Sequence, residues 1–214
     1  MRPRADSVVL FGDPLAQGLV ASLARPGGNV TGMSLGGLQL SAKRVQIIRE
    51  VLPAARRMAF IGNAGDPTSR LLLASLEDTG RAVGLQFLPF IGTAEGLDAS
   101  LGALARDRPD AVFTMTNLPE GQIAAFALKE RLPLFATRRS AVEAGALLSY
   151  GGRLDDQYRG AAVYVDKILR GARPASLPIE EPSRFELFIN TRTARTLGLT
   201  LPRTLVAQAA ELIE

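Results

Sequence analysis

The sequence predicts an α/β fold: a parallel β-sheet with helices on both of its faces. Short apolar segments of strand type alternate with amphipathic segments of helical period. Turn and cap signals, such as Pro53 and the pair Asp66-Pro67, separate one segment from the next. Four successive strand–helix units fall between Arg57 and Ala144. Because a helical crossover returns the chain to the same edge of a sheet, these units indicate parallel strands.

The elements before these units are predicted from their apolar spacing and their breakers. In chain order they are a strand over Ser7–Phe11, a helix over Leu15–Ala24 that ends at Pro26-Gly27-Gly28, an extended segment over Asn29–Ser34, and a helix over Leu40–Leu52. The strands of the four units are predicted over Arg57–Gly62, Gln86–Ile91, Ala111–Met115 and Leu134–Ala136, with helices after each of them.

The last third of the chain continues the alternation. A strand is predicted over Ala146–Tyr150, and Asp155 or Asp156 is expected to cap a helix through Leu169. The inward positions of that helix are expected to be Ala161, Ala162, Val165, Ile168 and Leu169. A strand over Phe185–Ile189, a short helix over Thr191–Gly198 and a helix after Pro202 complete the prediction.

Composition excludes several classes of function. The 214 residues contain no histidine and no cysteine, so Ser-His-Asp triads, thiol nucleophiles and zinc–thiolate sites are ruled out. The net charge of +4 comes from arginines spread along the chain, which does not form the basic stripe of a nucleic-acid-binding protein. The apolar run Val8–Phe11 is too short for a secretion signal, and no run is long enough for a membrane span.

Ligands of open parallel sheets bind beyond the carboxyl ends of the strands, and this rule selects three loops. Asn63 and Thr68 lie in a small polar loop that leads to a helix N-terminus, which would favour a ligand carboxylate or form an ordinary capped turn. Asn117 would contact a ligand or cap the following helix. The Thr137–Ser140 loop carries Arg138 and Arg139, either of which would clamp a carboxylate or lie on the surface. No phosphate-loop motif is present, so no cofactor is expected.

Three residues outside these loops are further candidates. Asp13 would pair with a ligand ammonium or cap the helix expected to begin at Pro14-Leu15. Ser34 ends the extended segment predicted over Asn29–Ser34 and would reach a ligand. Tyr150 ends the strand predicted over Ala146–Tyr150 and would stack on a ligand ring or pack inside the protein. The adjacent pair Asp155-Asp156 is read as a helix cap rather than as paired catalytic carboxylates.

Four stretches carry a family resemblance: residues 13–32 (DPLAQGLVASLARPGGNVTG), 49–57 (REVLPAARR), 143–151 (EAGALLSYG) and 185–199 (FELFINTRTARTLGL). Together they resemble the periplasmic substrate-binding proteins of ABC transporters, in the tryptophan/tyrosine-binding branch with a type I periplasmic-binding fold. The resemblance implies one complete lobe (residues 34–145 and 181–214) and part of a first lobe (residues 1–33 and 146–180). Family members carry roughly a hundred further residues at the front, so the sequence reads as an N-terminally truncated form. Arg139, rather than Arg138, matches an arginine of the family pattern.

The resemblance also implies a function. The protein is expected to be the solute-binding component of an ABC importer, with no catalytic activity. It would bind an amino acid, or an aromatic amino-acid-like compound, in a cleft between lobes that close about a hinge, and would then dock on the membrane permease in the periplasm. Two alternatives from other classes are a nucleotide-dependent enzyme on a doubly wound sheet and the ligand-sensing module of a regulator.

Overall fold

A computed structural model describes residues 7–115 and 118–214. Its strands, in chain order, are β1 Ser7–Phe11, β2 Val30–Ser34, β3 Arg57–Asn63, β4 Gln86–Gly92, β5 Ala111–Thr114, β6 Leu134–Ala136, β7 Leu148–Gly152, β8 Phe185–Asn190 and β9 Glu211–Ile213. Its helices are α1 Ser41–Val51, α2 Pro67–Arg81, α3 Leu97–Asp107, α4 Glu120–Lys129, α5 Arg139–Glu143, α6 Leu154–Leu169, α7 Thr191–Leu197 and α8 Arg203–Gln208.

The chain divides into two compact units. Within the described residues, unit 1 contains 7–38 and 152–185, and unit 2 contains 39–115, 118–151 and 186–214. The chain therefore passes from one unit to the other three times, after residues 38, 151 and 185. Each unit is built from segments that are distant in sequence, so neither is a continuous stretch of chain.

Unit 2 contains a sheet of seven described strands in the order β4-β3-β5-β6-β7-β8-β9. The pairs β3–β4, β3–β5, β5–β6, β6–β7 and β8–β9 are parallel. Successive side chains of a strand point to opposite faces, and both faces are covered. Val112 packs in a buried cluster with residues of α3 and α4, whereas the next residue, Phe113, stacks on Phe60 at 6.1 Å between ring centroids. The predicted parallel sheet with helices on both faces is confirmed.

Unit 1 contains the parallel pair β1–β2, aligned from Ser7 opposite Val30 to Phe11 opposite Ser34. Helix α6 packs on both strands. The segment before β8 runs along β2, where the Ser34 amide donates to the Glu180 carbonyl oxygen at 2.7 Å. The Thr31 hydroxyl donates to the Leu177 carbonyl oxygen at 2.8 Å, which extends the contact.

The helix predicted over Leu15–Ala24 is wrong. The structure has a turn there, in which the Gln17 amide donates to the Asp13 carbonyl oxygen and the Gly18 amide to that of Leu15. Gly18 has φ +67°, a left-handed conformation that ends a helical turn. Leu15 and Leu19 are exposed, so no buried apolar face supports a longer helix.

The helix α6 is confirmed, but its predicted inward face is wrong at three of five positions: Ala162, Val165 and Leu169 are exposed, whereas Ala161 and Ile168 are half-buried. Gln157 and Tyr164 are the buried residues of α6, and Arg153 rather than Asp155 or Asp156 takes the N-cap position. The approach of β2 sets this rotation, because the Met33 side chain lies against Gly160, 2.5 Å from where a Cβ would be. As a result, an apolar stripe of α6 is exposed, and it consists of Tyr158, Ala162, Val165 and Leu169.

Candidate functional site

The carboxyl ends of the parallel strands in unit 2 bring several polar loops to one edge of the sheet. Strands β3, β5, β6 and β7 are neighbours in that order, so their ends are spaced by about 4.8 Å per strand. The loops that follow β3 and β6, and the end of β7, carry the unit 2 residues that the sequence singled out. This edge is where the fold places a ligand of an open parallel sheet.

The loop after β3 forms a tightly capped helix start. The Asn63 side-chain oxygen accepts from the Gly65 amide at 2.9 Å, and Asp66 Oδ1 accepts from the Thr68 amide at 2.9 Å. The Ser69 hydroxyl is also engaged, since it accepts from the Asn63 amide at 3.0 Å. The capped-turn interpretation is therefore realised in the structure, and a ligand role for Asn63 and Thr68 stays a prediction.

The two arginines after β6 have different surroundings. Arg139 is held by carboxylates: Nη2 and Nε donate to the two oxygens of Glu211 at 2.8 and 3.1 Å, and Nη1 pairs with Glu143. The hydrogen bonds that Arg139 donates to Glu211 raise the pKa of Arg139 and lower the pKa of Glu211. Arg138, by contrast, has a buried Nε with no hydrogen-bond partner within the described part of the chain.

Tyr150 of β7 is in contact with a buried cation, Arg44. Arg44 of α1 is 4% exposed, its Nε donates to the Tyr150 carbonyl oxygen at 3.1 Å, and its guanidinium lies 5.9 Å from the Phe113 ring centroid. Burial lowers the pKa of Arg44 to about 10, partly opposed by its electrostatic interaction with Tyr150. Tyr150 lines the same small cavity as Arg44 and Phe113. The hydrogen bond from Arg44 thus fixes the backbone of Tyr150.

A second buried polar group without a partner among the described residues lies in β7, the strand next to β6. Ser149 pairs with Ala136, the last residue of β6, and its hydroxyl is buried without a partner among the described residues. The ends of β6 and β7 approach closely, because a Cβ on Gly151 would overlap the Thr137 carbonyl oxygen. A buried hydroxyl of β7, paired in register with the last residue of β6, and a buried guanidinium nitrogen two residues after β6 therefore both lack a partner among the described residues, unlike most buried polar groups.

Unit 1 brings together the other predicted residues. Phe11 and Ser34 are paired at the ends of β1 and β2, and Asp13 follows two residues later. Asp13 Oδ1 accepts from the Ala16 amide at 2.9 Å, so it caps the turn after β1. The Ser34 hydroxyl is buried and accepts from the Gly36 amide at 3.1 Å. Ligand roles for Asp13 and Ser34 stay predictions.

One predicted site residue, Asn117, lies outside the described residues. Three further polar residues, Arg44, Ser149 and Gln157, were not predicted from the sequence. A polar residue on the inward face of a predicted helix would have been the signal for such a residue. Gln157 is one, but the inward face predicted for α6 did not include it. Among the described residues, no cluster of acidic side chains could hold a metal ion, and no helix is long and apolar enough to cross a membrane.

Several solved structures share this architecture. An ABC domain from Streptococcus pneumonia in complex with L-Trp superposes with a TM-score of 0.85 at 22% identity, covering 98% of this chain and 75% of the other. A conserved domain protein from Vibrio cholerae gives a TM-score of 0.86 at 26% identity, covering 94% of this chain and 69% of the other. The fold is therefore of the type I periplasmic-binding class.

The family model described as ABC transporter substrate binding protein matches residues 7–213, and the chain belongs to this family. A tyrosine-binding protein from Clostridioides difficile (strain R20291) is 25% identical over 192 residues, which make up 87% of this chain and 55% of that protein. The chain thus spans about half the length of this curated relative. Membership of a substrate-binding family, suggested by the sequence, is confirmed.

Proposed function

We propose that this protein is the solute-binding component of an ABC importer and that its ligand is an aromatic amino acid. As family membership implies, the ligand would be held in a cleft between lobes that close on it about a hinge, and the closed form would dock on a membrane permease outside the cytoplasm. Family membership supports the general role. The named ligands of two relatives, tyrosine and L-Trp, support the ligand class.

The observation that carries the ligand chemistry is the unsatisfied Nε of Arg138. A buried guanidinium nitrogen without an acceptor is unfavourable in the free protein, and a ligand carboxylate would supply the missing acceptor. The Ser149 hydroxyl, which also lacks a partner among the described residues, lies in the adjacent strand β7 opposite the end of β6, and a hydroxyl can donate a hydrogen bond to a carboxylate. In this proposal Arg138 binds the α-carboxylate.

Arg139 is a competing candidate with a different environment. Its guanidinium already donates to Glu143 and Glu211, so binding a ligand carboxylate would require it to exchange partners. Such an exchange gains less free energy than satisfying an unpaired donor. Arg138 therefore takes precedence over Arg139, and neighbouring arginines on one short loop provide a matched pair for experiment.

The test is isothermal titration of the purified protein with L-tyrosine, L-tryptophan, L-phenylalanine and L-tyrosinamide, which lacks the carboxylate. We expect at least one of the three acids to bind and the amide to bind much more weakly. Arg138→Gln should raise the Kd for that acid about 10- to 100-fold, the equivalent of one charge-assisted hydrogen bond. Arg139→Gln should leave the Kd within about 2-fold, because exposed ion pairs contribute little to structure.

Two results would overturn the proposal at different levels. If the wild-type protein binds none of the acids, the assigned ligand class is wrong. If the acid binds but Arg139→Gln weakens it more than Arg138→Gln, the ligand class survives and the carboxylate site belongs to Arg139.

A further inference from the structure

Helix α6 buries two polar side chains against the strands of unit 1, and only one of them is satisfied. The Tyr164 hydroxyl donates to the Pro178 carbonyl oxygen at 2.7 Å and lies 2.9 Å from Glu180 Oε1. Gln157 is 4% exposed, and its side-chain oxygen is buried with no partner within the described residues. A buried acceptor left without a donor costs about 1–3 kcal/mol, so its presence needs an explanation.

The position of Gln157 along β2 follows from its neighbours on α6. Tyr164 contacts Pro178, whose segment lies level with Thr31 near the start of β2. Gly160 lies against Met33, further along the strand. The helix therefore runs opposite to β2, as a helix in a parallel α/β unit does.

Gln157 lies one turn before Gly160, about 4.5 Å further along the helix axis. It is therefore level with the end of β2, where Ser34 lies, and with the end of β1, which Asp13 follows. The unsatisfied oxygen is thus at the carboxyl edge of unit 1, the edge at which ligands of parallel sheets bind.

The groups at this edge share one chemical character. Gln157 has an amide oxygen and Asp13 a carboxylate, and both groups are hydrogen-bond acceptors. The Ser34 hydroxyl already accepts from the Gly36 amide. This set suits a cationic donor with several N–H groups, whereas the unsatisfied Nε of Arg138 in unit 2 suits an anionic acceptor.

We propose that Gln157 is a ligand-contacting residue whose amide oxygen accepts a hydrogen bond from the α-ammonium group of the bound amino acid. The proposal rests on the function proposed above and adds to it a selection for ligands with a free ammonium group. Loss of this contact would leave a buried acceptor unsatisfied in the complex, and ligands without the ammonium group would be disfavoured for that reason.

The test uses Gln157→Met, which keeps the length and volume of the side chain and removes the acceptor. The Kd for L-tyrosine, or for whichever acid of the panel binds, should rise about 10- to 100-fold. The Tm of the unliganded variant should equal or exceed that of the wild type, because an unsatisfied buried oxygen has been removed. A structural role would instead lower the Tm.

Tyr164→Phe is the matched control, since it removes a satisfied polar group from the same face of the same helix. Its Tm should fall while its Kd stays within about 2-fold, because the Tyr164 hydroxyl already has protein partners. A second comparison varies the ligand and uses the deamino analogue of the acid, such as 3-(4-hydroxyphenyl)propanoate, which lacks the ammonium group. Wild type and Gln157→Met should bind this analogue with equal affinity.

A measurement on the wild-type protein avoids dependence on the variant's folding. The side-chain amide NMR signal of Gln157, assigned through bonds, should shift when the amino acid saturates the protein and stay unshifted with the deamino analogue. An unchanged Kd in Gln157→Met, or an unshifted signal in the saturated wild type, would overturn the role of Gln157 while leaving the proposed function intact. Failure of the wild type to bind any acid would overturn both.

Discussion

The close approach of β7 to the end of β6 makes Gly151 a sensitive position at the proposed carboxylate site. A Cβ on Gly151 would overlap the Thr137 carbonyl oxygen and lie 3.3 Å from its carbonyl carbon. Both are backbone atoms, so they cannot rotate away as a side chain would. Gly151→Ala must therefore displace the segment that leads from β6 into Arg138.

The expected cost follows from the geometry. Forcing an extra carbon into a packed site costs about 1–3 kcal/mol, and a backbone obstacle favours the middle of that range or above. For a chain of this size, 1 kcal/mol corresponds to about 2–4 °C, so a cost of about 2 kcal/mol lowers the Tm by about 4–8 °C. Displacement of Arg138 should also weaken amino-acid binding, by about 5-fold or more if its position shifts by a few tenths of an ångström.

The assay is thermal unfolding followed by circular dichroism, combined with titration of the amino acid below the Tm. Gly102→Ala is the control, since this glycine lies within α3 and the nearest atom to its Cβ position is Arg106 Nη1 at 4.0 Å. Alanine there should raise stability by about 0.5–1 kcal/mol through helix propensity. A Gly151→Ala protein that melts within about 1 °C of the wild type and binds equally well would refute the packing argument.

Two further predictions concern stability away from the proposed ligand groups. Because Arg139 lowers the pKa of Glu211, the charged pair stabilises the fold above the ordinary carboxyl pKa of about 4.5, and this contribution disappears as the pH falls through the lower folded value. In urea unfolding, Glu211→Gln should thus be less stable than the wild type at pH 7, and this difference should shrink as the pH falls below about 4.5; an undiminished difference at acidic pH would contradict the linkage. Gly80→Ala should lower the Tm without changing the Kd, because its Cβ would lie 2.5 Å from the Leu85 carbonyl oxygen and 3.0 Å from the Phe87 ring; an increased Tm would show that the turn after α2 can relax.

The sequence predicted the central part of the fold well because its signals are local and repeated. The strand predicted over Leu134–Ala136 is confirmed at both ends, and the cap at Asp66 is confirmed by its hydrogen bond to the Thr68 amide. Buried strands contain unbroken apolar runs, such as Met58–Ile61 in β3, which distinguishes them from the amphipathic helices beside them. These signals depend only on neighbours within a few residues.

The errors arose where tertiary contacts decide the structure. The apolar residues of 15–24 have helical spacing, but they bury no apolar face that would stabilise a helix, and Gly18 ends the first turn. The rotation of α6 depends on how Met33 meets Gly160, two residues far apart in sequence. Strand β9 was missed because it is short and mostly exposed, and it exists through its pairing with β8.

The proposed site shows the same limit. The sequence located the loop after β6, but adjacent arginines cannot be ranked by spacing. Their difference comes from Glu211, a residue of β9 that the fold brings to Arg139 from the far end of the chain. The unsatisfied oxygen of Gln157 is likewise visible only when the partners around a buried side chain can be counted.

The three passages of the chain between the units have a consequence for biosynthesis. Strands β1 and β2 emerge from the ribosome before helix α6, which covers them and is made only after the roughly 110 residues that separate the two segments of unit 1. Unit 2 in turn waits for β8 and β9 after that helix has been made. Nascent chains arrested before α6 should therefore expose the β1–β2 pair to chaperones and proteases, and neither unit can be obtained intact by cutting the gene at a single point.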